Sequence, residues 1–303
     1  MNRNIALVSK FILLLQANPV TAFPQQQIIK SFSQSCQEKA SVSPSRRLTI
    51  NILLKKAGTN DCNIAERKLK SIRNLYLVGN KISDLDPLAS LTNLEILQLN
   101  HNQIVKIDSL ASLTNLNTLY LNNNQIVKID SLAGLTNLNT IYLQSNKIVD
   151  IKPLAGLTNL KTLSLNKNEI VKIDSLAGLT NLKMLDLAIN KIVDIKPLTG
   201  LTNLNRLYLG SNKIVDLQPL SGLNNLNTLY LGSNKIVDLQ PLSGLTNLNT
   251  LYLDSNKIVD IKPLAGLTNL ETIDIRQNKV FDLKPLTGLK NLKHVSGSIP
   301  LFD

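Results

Sequence analysis

Residues 116–137 read LNTLYLNNNQIVKIDSLAGLTN, and this 22-residue stretch recurs with small changes along most of the chain. Each copy carries leucine or isoleucine at the same places and an asparagine at one constant place, which is Asn124 here. A fixed period of this length predicts a solenoid, in which each copy is one structural unit and neighbouring copies share a core. The repeated asparagines are Asn80, Asn102, Asn124, Asn146, Asn168, Asn190, Asn212, Asn234, Asn256 and Asn278.

Within the copy, Leu119 and Leu121 alternate with Tyr120, which predicts a β-strand with one buried face. Each strand must pair with its equivalents 22 residues away, so we expect a parallel sheet with neighbouring strands ~4.8 Å apart. Asn124 follows where the chain leaves the strand, and an inward-pointing amide there can hydrogen-bond the backbone of adjacent turns. We therefore interpret the repeated asparagines as a buried structural ladder. Losing one of these asparagines would leave backbone groups without hydrogen-bond partners, which would lower the free energy of unfolding by about 1–3 kcal/mol.

The pattern L-x-x-L-x-L-x-x-N-x-I-x-x-I-x-x-L over residues 72–295 is similar to that of leucine-rich repeats. The 22-residue length and stretches such as NKIVDIKPLAGL resemble the internalin-type repeats of bacterial surface proteins. They also resemble the short repeats of a eukaryotic phosphatase-regulating family. The resemblance implies an α/β solenoid, curved into an arc with a parallel β-sheet on the concave face and 3₁₀ or extended segments on the convex face.

The chain is expected to divide into three parts. Residues 1–22 are predicted to be a signal peptide, and 23–71 a helical N-terminal cap. Residues 72–303 are predicted to be the leucine-rich repeat domain, with ten full repeats and a truncated C-terminal one.

Composition excludes several classes of function. The chain is 43% apolar but lacks Trp and is only 4% aromatic, so aliphatic side chains must form the core. The net charge is +12, yet residues 1–71 hold 11 Lys and Arg against 3 acidic residues, whereas residues 72–303 hold 22 against 18. A basic N-terminal segment explains this excess, because a nucleic-acid track needs a continuous basic stripe. We predict no nucleic-acid partner.

The N-terminal segment has the features of a secretory leader. Arg3 and Lys10 supply positive charge, a short apolar run follows, and Val20-Thr21-Ala22 has the small-residue pattern of a cleavage site. Lys10 splits the apolar stretch, so neither half approaches the ~20 residues that span a bilayer. The segment predicts a signal peptide cut after Ala22 and no membrane span. An amphipathic helix of a cytosolic protein is the alternative.

Cys36 and Cys62 flank a predicted helix, for which Ser43 is the N-cap, Pro44 the first helical residue and Gly58 the C-cap. A disulfide between them would close this small cap and stabilise it by ~3 kcal/mol. Two buried free thiols in a cytosolic protein are the alternative. Together with the leader, the cysteines favour a secreted, periplasmic or cell-surface protein over a cytoplasmic one.

All six tyrosines occupy one repeat position, the exposed residue between the two strand leucines. This spacing predicts a discontinuous aromatic row along the concave sheet, with the amphipathic rings that protein-binding hot spots favour. Tyrosine is also a good occupant of exposed strand positions, and duplication alone would multiply it. The row consists of Tyr76, Tyr120, Tyr142, Tyr208, Tyr230 and Tyr252.

Two groups of residues depart from the repeat, and copying does not explain them. The central group is Met184, Asp186, Ile189 and Arg206. The C-terminal group is Asp254, Asp274, Arg276 and His294. Asp254 and Arg276 hold equivalent positions on adjacent strands, which predicts a direct pair. The candidate partner-binding residues are Tyr120, Tyr142, Asp186, Arg206, Tyr208, Tyr230, Tyr252, Asp254, Asp274 and Arg276.

A second row follows the core isoleucines at one place in each repeat. Stacked β-branched residues suit short extended segments, and an exposed apolar ridge for self-association is the alternative. The row consists of Val105, Val127, Val149, Val171, Val193, Val215, Val237, Val259 and finally Phe281.

No catalytic motif is present in the sequence. His101 and His294 lie nearly a whole solenoid apart, and Asp186 and Asp274 are four repeats apart, too far for a carboxylate pair. We find no phosphate loop and no metal-ligand pattern. The sequence therefore predicts a non-enzymatic, monomeric module without cofactor or metal that binds a protein, with a glycan also possible. The alternatives are a cytosolic scaffold resembling the phosphatase regulators and a self-associating structural protein.

Overall fold

The computed structural model describes residues 29–297. The predicted signal peptide at residues 1–22 lies outside the described residues. Three α-helices come first: α1 Phe32–Gln37, α2 Pro44–Ala57 and α3 Cys62–Lys70. The strands that follow are β1 Asn74–Tyr76, β2 Ile96–Gln98, β3 Thr118–Tyr120, β4 Thr140–Tyr142, β5 Thr162–Ser164, β6 Met184–Asp186, β7 Arg206–Tyr208, β8 Thr228–Tyr230, β9 Thr250–Tyr252, β10 Thr272–Asp274 and β11 His294–Ser296.

The eleven strands form one parallel sheet in sequential order, as expected from the repeat. The register is constant, so that Leu119 pairs with Leu97 on one side and with Ile141 on the other. A 3₁₀ helix lies between each pair of successive strands, for example Asp130–Leu132 and Lys152–Leu154. The architecture is the predicted curved solenoid with a helical cap.

The core is a continuous stack of aliphatic side chains between the sheet and the 3₁₀ helices. In one copy Leu119, Leu121, Ile126, Ile129 and Leu132 are 0–1% exposed. The equivalent residues of the other copies are also buried, except at the C-terminal end, where Leu283 is partly buried and Val295 is 46% exposed. Full burial of such a side chain contributes about 1.5–3 kcal/mol. The repeat therefore carries its own stabilising contacts, and each unit covers the core of the next.

The repeated asparagines form the predicted ladder. The side-chain amide of Asn124 donates to the carbonyls of Leu121 in its own repeat and Leu99 in the preceding one, both at 3.0 Å. Its Oδ1 accepts the backbone N–H of Ile104 at 3.0 Å. Three backbone groups that the turn would otherwise leave unpaired are thus satisfied by one residue.

A second asparagine row, which the sequence reasoning missed, lies on the surface. Asn115 donates from its side chain to the carbonyl of Thr92, and Asn137 does the same to Thr114, both at 2.9 Å. The same bond recurs from Asn93 through to Asn291. These asparagines belong to the LTNL segment, so their regular spacing was the available signal.

The cap contains the predicted helix and two others. The side chain of Ser43 accepts the N–H of Arg46, and Gly58 ends α2 with a φ of 64°, as its C-cap role requires. Helices α1 and α3 were not predicted, although Ser31 forms a capping box with Gln34 and Asp61 caps α3. Cys36 of α1 and Cys62 of α3 form the expected disulfide.

The cap is fixed to the first repeat by buried and charged contacts. Ile50 and Leu53 of α2 are fully buried. Arg46 makes ion pairs with Asp84 and Asp86, and the hydroxyl of Thr49 donates to the carbonyl of Asp84 at 2.7 Å. The helices therefore cover the core that the first repeat would otherwise expose. Within residues 29–297, none of the helices has the length and apolar character needed to cross a bilayer.

Candidate functional site

The concave face consists of the first and third residues of each three-residue strand. The middle residues, such as Leu119 and Leu229, are fully buried, so their neighbours point to the opposite face of the sheet. Constant register aligns equal repeat positions in straight rows. The third position holds Tyr120, Tyr142, Asp186, Tyr208, Tyr230, Tyr252 and Asp274, the first holds Arg206, and Asp254 and Arg276 lie two residues beyond their strands.

The tyrosine row is divided into two stacks. Tyr120 and Tyr142 lie with ring centroids 4.9 Å apart and ring planes 7° from parallel. Tyr230 stacks on Tyr252 with ring centroids 4.3 Å apart and planes 10° from parallel, and it contacts Tyr208 at 4.9 Å with the planes tilted by 37°. Burial, with a contribution from the neighbouring tyrosines, raises the pKa of Tyr142 and Tyr230. The rings are thus held in fixed positions by one another before any partner arrives.

Small residues line one side of the longer stack. Gly210 and Gly232 hold the position two residues after Tyr208 and Tyr230. A Cβ at Gly232 would collide with the carboxylate of Asp254, and one at Gly210 would lie 3.3 Å from the carbonyl oxygen of Gly232. The space that a side chain would need at these two positions is therefore already taken, by the Asp254 carboxylate at Gly232 and by the neighbouring backbone at Gly210.

Asp186 lies between the two stacks and is half-buried. Its Oδ1 accepts the backbone N–H of Ala188 at 3.1 Å and the side-chain amide of Asn166 at 3.4 Å. Its Oδ2 accepts the hydroxyl of Ser164 at 3.2 Å. Burial raises the pKa of Asp186, although these three hydrogen bonds act in the opposite direction. All three donors are neutral, so hydrogen bonds and no cationic partner offset the burial of this carboxylate.

Asp274 occupies the same repeat position near the C-terminal end and is 2% exposed. Arg276 makes an ion pair with it, and its Nε donates to both carboxylate oxygens at 3.0 Å. Burial alone would raise the pKa of Asp274, but the hydrogen bonds and charge of Arg276 outweigh it, so the pKa is lowered. The expected pair between Asp254 and Arg276 is therefore wrong. The buried carboxylate within the same repeat binds the guanidinium more fully, and Asp254 contributes only a weaker attraction.

The remaining members of the central group surround Asp186. Met184 and Arg206 face each other in register on β6 and β7, with Met184 half-buried and Arg206 exposed. Ile189 follows in the turn with a φ of 54° and is 48% exposed. A β-branched residue in this left-handed conformation is a backbone outlier, because its Cβ substituents crowd the neighbouring carbonyl. The spacing brings these residues together, but the strained backbone was not predicted.

The valine row lies outside the core, on a surface separate from the tyrosines. Its members are 44–54% exposed, and Phe281 is 52% exposed. The row is continuous over nine repeats, and its spacing matches the expectation.

Sequence reasoning missed two small features of the centre. Ser164 is 3% exposed and donates to Asp186, and Ala188 holds the repeat position that Arg276 occupies at the other end. Both were visible as departures from the tyrosine and polar residues of other copies. In residues 29–297 no group of three or more His, Cys, Asp or Glu is arranged to hold a metal ion.

Family models match the repeats along two thirds of the chain. The leucine-rich repeat model matches residues 63–170, and the model for two copies of leucine-rich repeats matches 158–200, 180–222, 202–244 and 224–266. No curated protein matches the chain. Leucine-rich repeat proteins are generally non-enzymatic modules that bind proteins.

Similar solved structures narrow the class of leucine-rich repeat protein to which the chain belongs. Internalin C2 from Listeria monocytogenes is 39% identical, over 62% of this chain and 83% of that one, with a TM-score of 0.60. An internalin F from the same organism is 29% identical, over 80% and 92%, with a TM-score of 0.52. A functional domain of InlJ from this organism, described as including a cysteine ladder, is 25% identical over 76% and 54%, with a TM-score of 0.63. The chain belongs to the internalin-type leucine-rich repeat proteins.

Proposed function

We propose that this chain is a non-enzymatic module that holds a partner protein on its concave face. The observation that carries the proposal is the row of contacting rings that Tyr208, Tyr230 and Tyr252 form on three adjacent strands. Rings that already support one another lose little conformational freedom on binding, which favours them as anchors. Their phenol groups can also hydrogen-bond a partner while the rings bury apolar surface.

The two irregular groups give the surface its selectivity. Asp186 and Arg206 place opposite charges in the middle of the face, and Asp254 lies two residues beyond β9, with its carboxylate against Gly232. Charged groups at fixed positions discriminate partners because like charges repel and unpaired charges lose hydration. Asp274 and Arg276 satisfy each other, so we assign them a smaller part in recognition than Asp186.

The test is a comparison of two triple variants in the same repeats. Affinity capture with the purified full chain identifies a partner, which is then purified for titration. Changing Tyr208, Tyr230 and Tyr252 to Ala should weaken binding at least about 100-fold, since each hot-spot residue contributes ~2 kcal/mol or more. Changing Val215, Val237 and Val259 to Ala removes apolar area elsewhere in those repeats and should leave the affinity unchanged.

Thermal unfolding of both triple variants separates loss of the surface from loss of the fold. Each should unfold close to the wild-type temperature, since the tyrosines are only partly buried and the valines are half-exposed. Unchanged affinity in the tyrosine variant would contradict the concave-face assignment. Capture of a glycan alone would contradict the protein part of the proposal.

We propose further that the protein is exported, with a leader at 1–22, a cap at 23–71 and repeats at 72–303. The disulfide between Cys36 and Cys62 supports this over a cytosolic scaffold of the phosphatase-regulator kind, because such bonds persist in oxidising compartments. N-terminal sequencing and thiol counting of natively produced protein provide the test. A mature chain starting at Phe23 without free thiols is expected, whereas an intact Met1 with two free thiols would contradict export.

Self-association is the second candidate function. The observation that favours it is the valine row, whose members are 44–54% exposed in a line across successive repeats. Light scattering against concentration tests it, with the Val215, Val237 and Val259 triple variant as control. A mass that rises with concentration in wild type but not in the variant would support assembly, and a constant monomer mass would exclude it.

A further inference from the structure

Two repeats hold a carboxylate at the same repeat position, and the protein supplies a cationic partner to only one of these two carboxylates. Asp186 ends β6 and Asp274 ends β10 at the equivalent repeat position. Each accepts on Oδ1 the backbone N–H two residues later, from Ala188 at 3.1 Å and from Arg276 at 3.0 Å. The two carboxylates are therefore held in the same orientation by the same backbone element.

At the C-terminal copy, the residue that supplies this N–H also supplies the counter-charge. The side chain of Arg276 folds back over its own repeat, and its Nε and Nη2 reach the oxygens of Asp274. This is the side-on approach in which a guanidinium contacts both carboxylate oxygens. The chain thus shows in one of its own repeats how a guanidinium occupies this position.

At the central copy the residue two positions after the carboxylate supplies no counter-charge. Ala188 extends only a methyl group where Arg276 extends its side chain, and Gly210 follows at the same place in the next repeat. Among the ion pairs of residues 29–297, none involves Asp186. Its donors Ser164 and Asn166 lie on the far side, toward β5. The carboxylate consequently faces the concave surface without a counter-ion.

An aromatic residue neighbours Asp186. Tyr208 pairs in register with Asp186 on the adjacent strand, and its ring contacts the tilted ring of Tyr230 on the strand beyond, β8. A cation between a carboxylate and a tyrosine face is stabilised by both. Arginine satisfies this combination better than lysine, because its planar group can form two parallel hydrogen bonds and also stack.

We propose that Asp186 binds the guanidinium of an arginine from the partner protein, above Ala188 and beside Tyr208, where Arg276 lies in the closed copy. The inference rests on the proposed function, since it names one residue of the partner that the concave face holds. It assigns Asp186 a specific ligand and makes Ala188 the residue that keeps the position open.

The first experiment needs no partner. Acetyl-arginine methylamide is titrated into the isotopically labelled full chain, with the acetyl-citrulline methylamide isostere as the neutral control. The Ala188 N–H and the Asn166 side-chain amide report by NMR, because both donate to Asp186. We expect saturable shifts of these signals with the arginine probe, at a dissociation constant of millimolar order, and none with the citrulline probe.

Three variants make the result specific. Asp186→Asn should abolish the arginine-dependent shifts. Ala188→Arg should abolish them as well, because the new side chain closes the site as Arg276 does. Arg276→Ala should create a second responsive site around Asp274. Equal responses to both probes, or unchanged binding of the arginine probe in Ala188→Arg, would overturn the proposal.

The purified partner then separates this inference from the proposed function. If Asp186 binds its arginine, Asp186→Asn and Ala188→Arg should each weaken the complex at least tenfold, while both variants keep the wild-type unfolding temperature within a few degrees. If the tyrosine triple variant loses the partner but both Asp186→Asn and Ala188→Arg retain full affinity, the arginine inference fails and the concave face stands. If all of them retain full affinity, the concave-face function fails too.

Discussion

The repeat around β6 and the repeat around β10 share a frame but differ in how they treat a carboxylate. Both place an aspartate at the end of the strand and hold it with the same backbone N–H. Near the C-terminal end Arg276 neutralises Asp274, whereas in the centre Ala188 is uncharged and Asp186 has no ion pair within residues 29–297. One residue, two positions after the carboxylate, makes the difference.

This comparison shows how a duplicated solenoid can acquire a specific site. The asparagine ladder is the same in both repeats and their core positions hold aliphatic side chains throughout, so the backbone positions are fixed before any surface residue changes. Exposed positions can then vary without affecting the stack. We propose that recognition depends on these variable positions, so the largest deviations from the repeat are the first to test.

The largest expected effect concerns the frame that both repeats share. Asn190→Ala removes the bonds to the carbonyls of Leu165 and Leu187 and from the N–H of Ile170, all at 3.0 Å. We expect a loss of about 3 kcal/mol in the free energy of unfolding, because backbone groups inside the stack lose their partners. Asn278→Ala removes the same bonds near the end, so its effect should be confined to the last repeats.

Native-state hydrogen exchange distinguishes the two variants, since it resolves local opening from global unfolding. Asn80→Ala is the control, because the side chain of Asn80 donates only to the carbonyl of Val78 and should contribute under about 1 kcal/mol. An equal loss in Asn80→Ala and Asn190→Ala would show that the ladder does not stabilise the stack.

The next effect concerns the turn that follows Asp186. Ile189 adopts a φ of 54°, whereas Asn123, Ser211 and Gln277 hold the equivalent place in other copies. Ile189→Asn should raise the free energy of unfolding by about 1 kcal/mol, because asparagine tolerates the left-handed region and isoleucine does not. Denaturant unfolding measures the change.

Ser211→Ile is the reciprocal variant for this turn, since it places isoleucine in the same conformation one repeat later. It should destabilise the protein by a similar amount. If Ser211→Ile has no effect, the left-handed turn tolerates β-branching and Ile189 stores no strain. A gain in stability together with weaker partner binding in Ile189→Asn would show that the strained residue is kept for recognition.

The fold was predictable from the sequence because a 22-residue period constrains the strand pairing, the core positions and the turn positions of every repeat. Once Leu119 and Leu121 were placed on a strand, the register, the core and the position of Asn124 followed. Helix α2 was found because Ser43, Pro44 and Gly58 mark its ends. Helix α1 is only six residues long and has no apolar periodicity, so its capping box went unrecognised.

The candidate site was predicted less completely. Sequence spacing located the tyrosine row and both irregular groups, since these depend only on the period. The spacing paired Arg276 with Asp254, because these two residues are neighbours across adjacent strands and no contact within one repeat was considered. The choice of Asp274 depends on its burial and on a backbone N–H that orients its carboxylate, and neither is a property of spacing.

The smallest expected effect is on titration, and it tests the comparison directly. The pKa of Asp186 should lie above its ordinary value and that of Asp274 below it. A raised native pKa means that stability falls as pH rises through that range, because the folded state binds more protons than the unfolded one. For Asp274 the sign is opposite, and its contribution is lost as pH falls from the ordinary aspartate range through its lowered pKa.

Carboxyl-carbon NMR titration of the wild-type protein and two exchange variants measures these pKa values. Arg276→Ala should move the pKa of Asp274 from below the ordinary value to above it, because burial then outweighs the remaining backbone hydrogen bond. Ala188→Arg should lower the pKa of Asp186 by adding the missing cation. If neither variant shifts the pKa of its aspartate in the stated direction, the residue two positions after the strand does not control the charge of the carboxylate at the strand's end. The repeats around β6 and β10 would then not differ in how they treat their carboxylates.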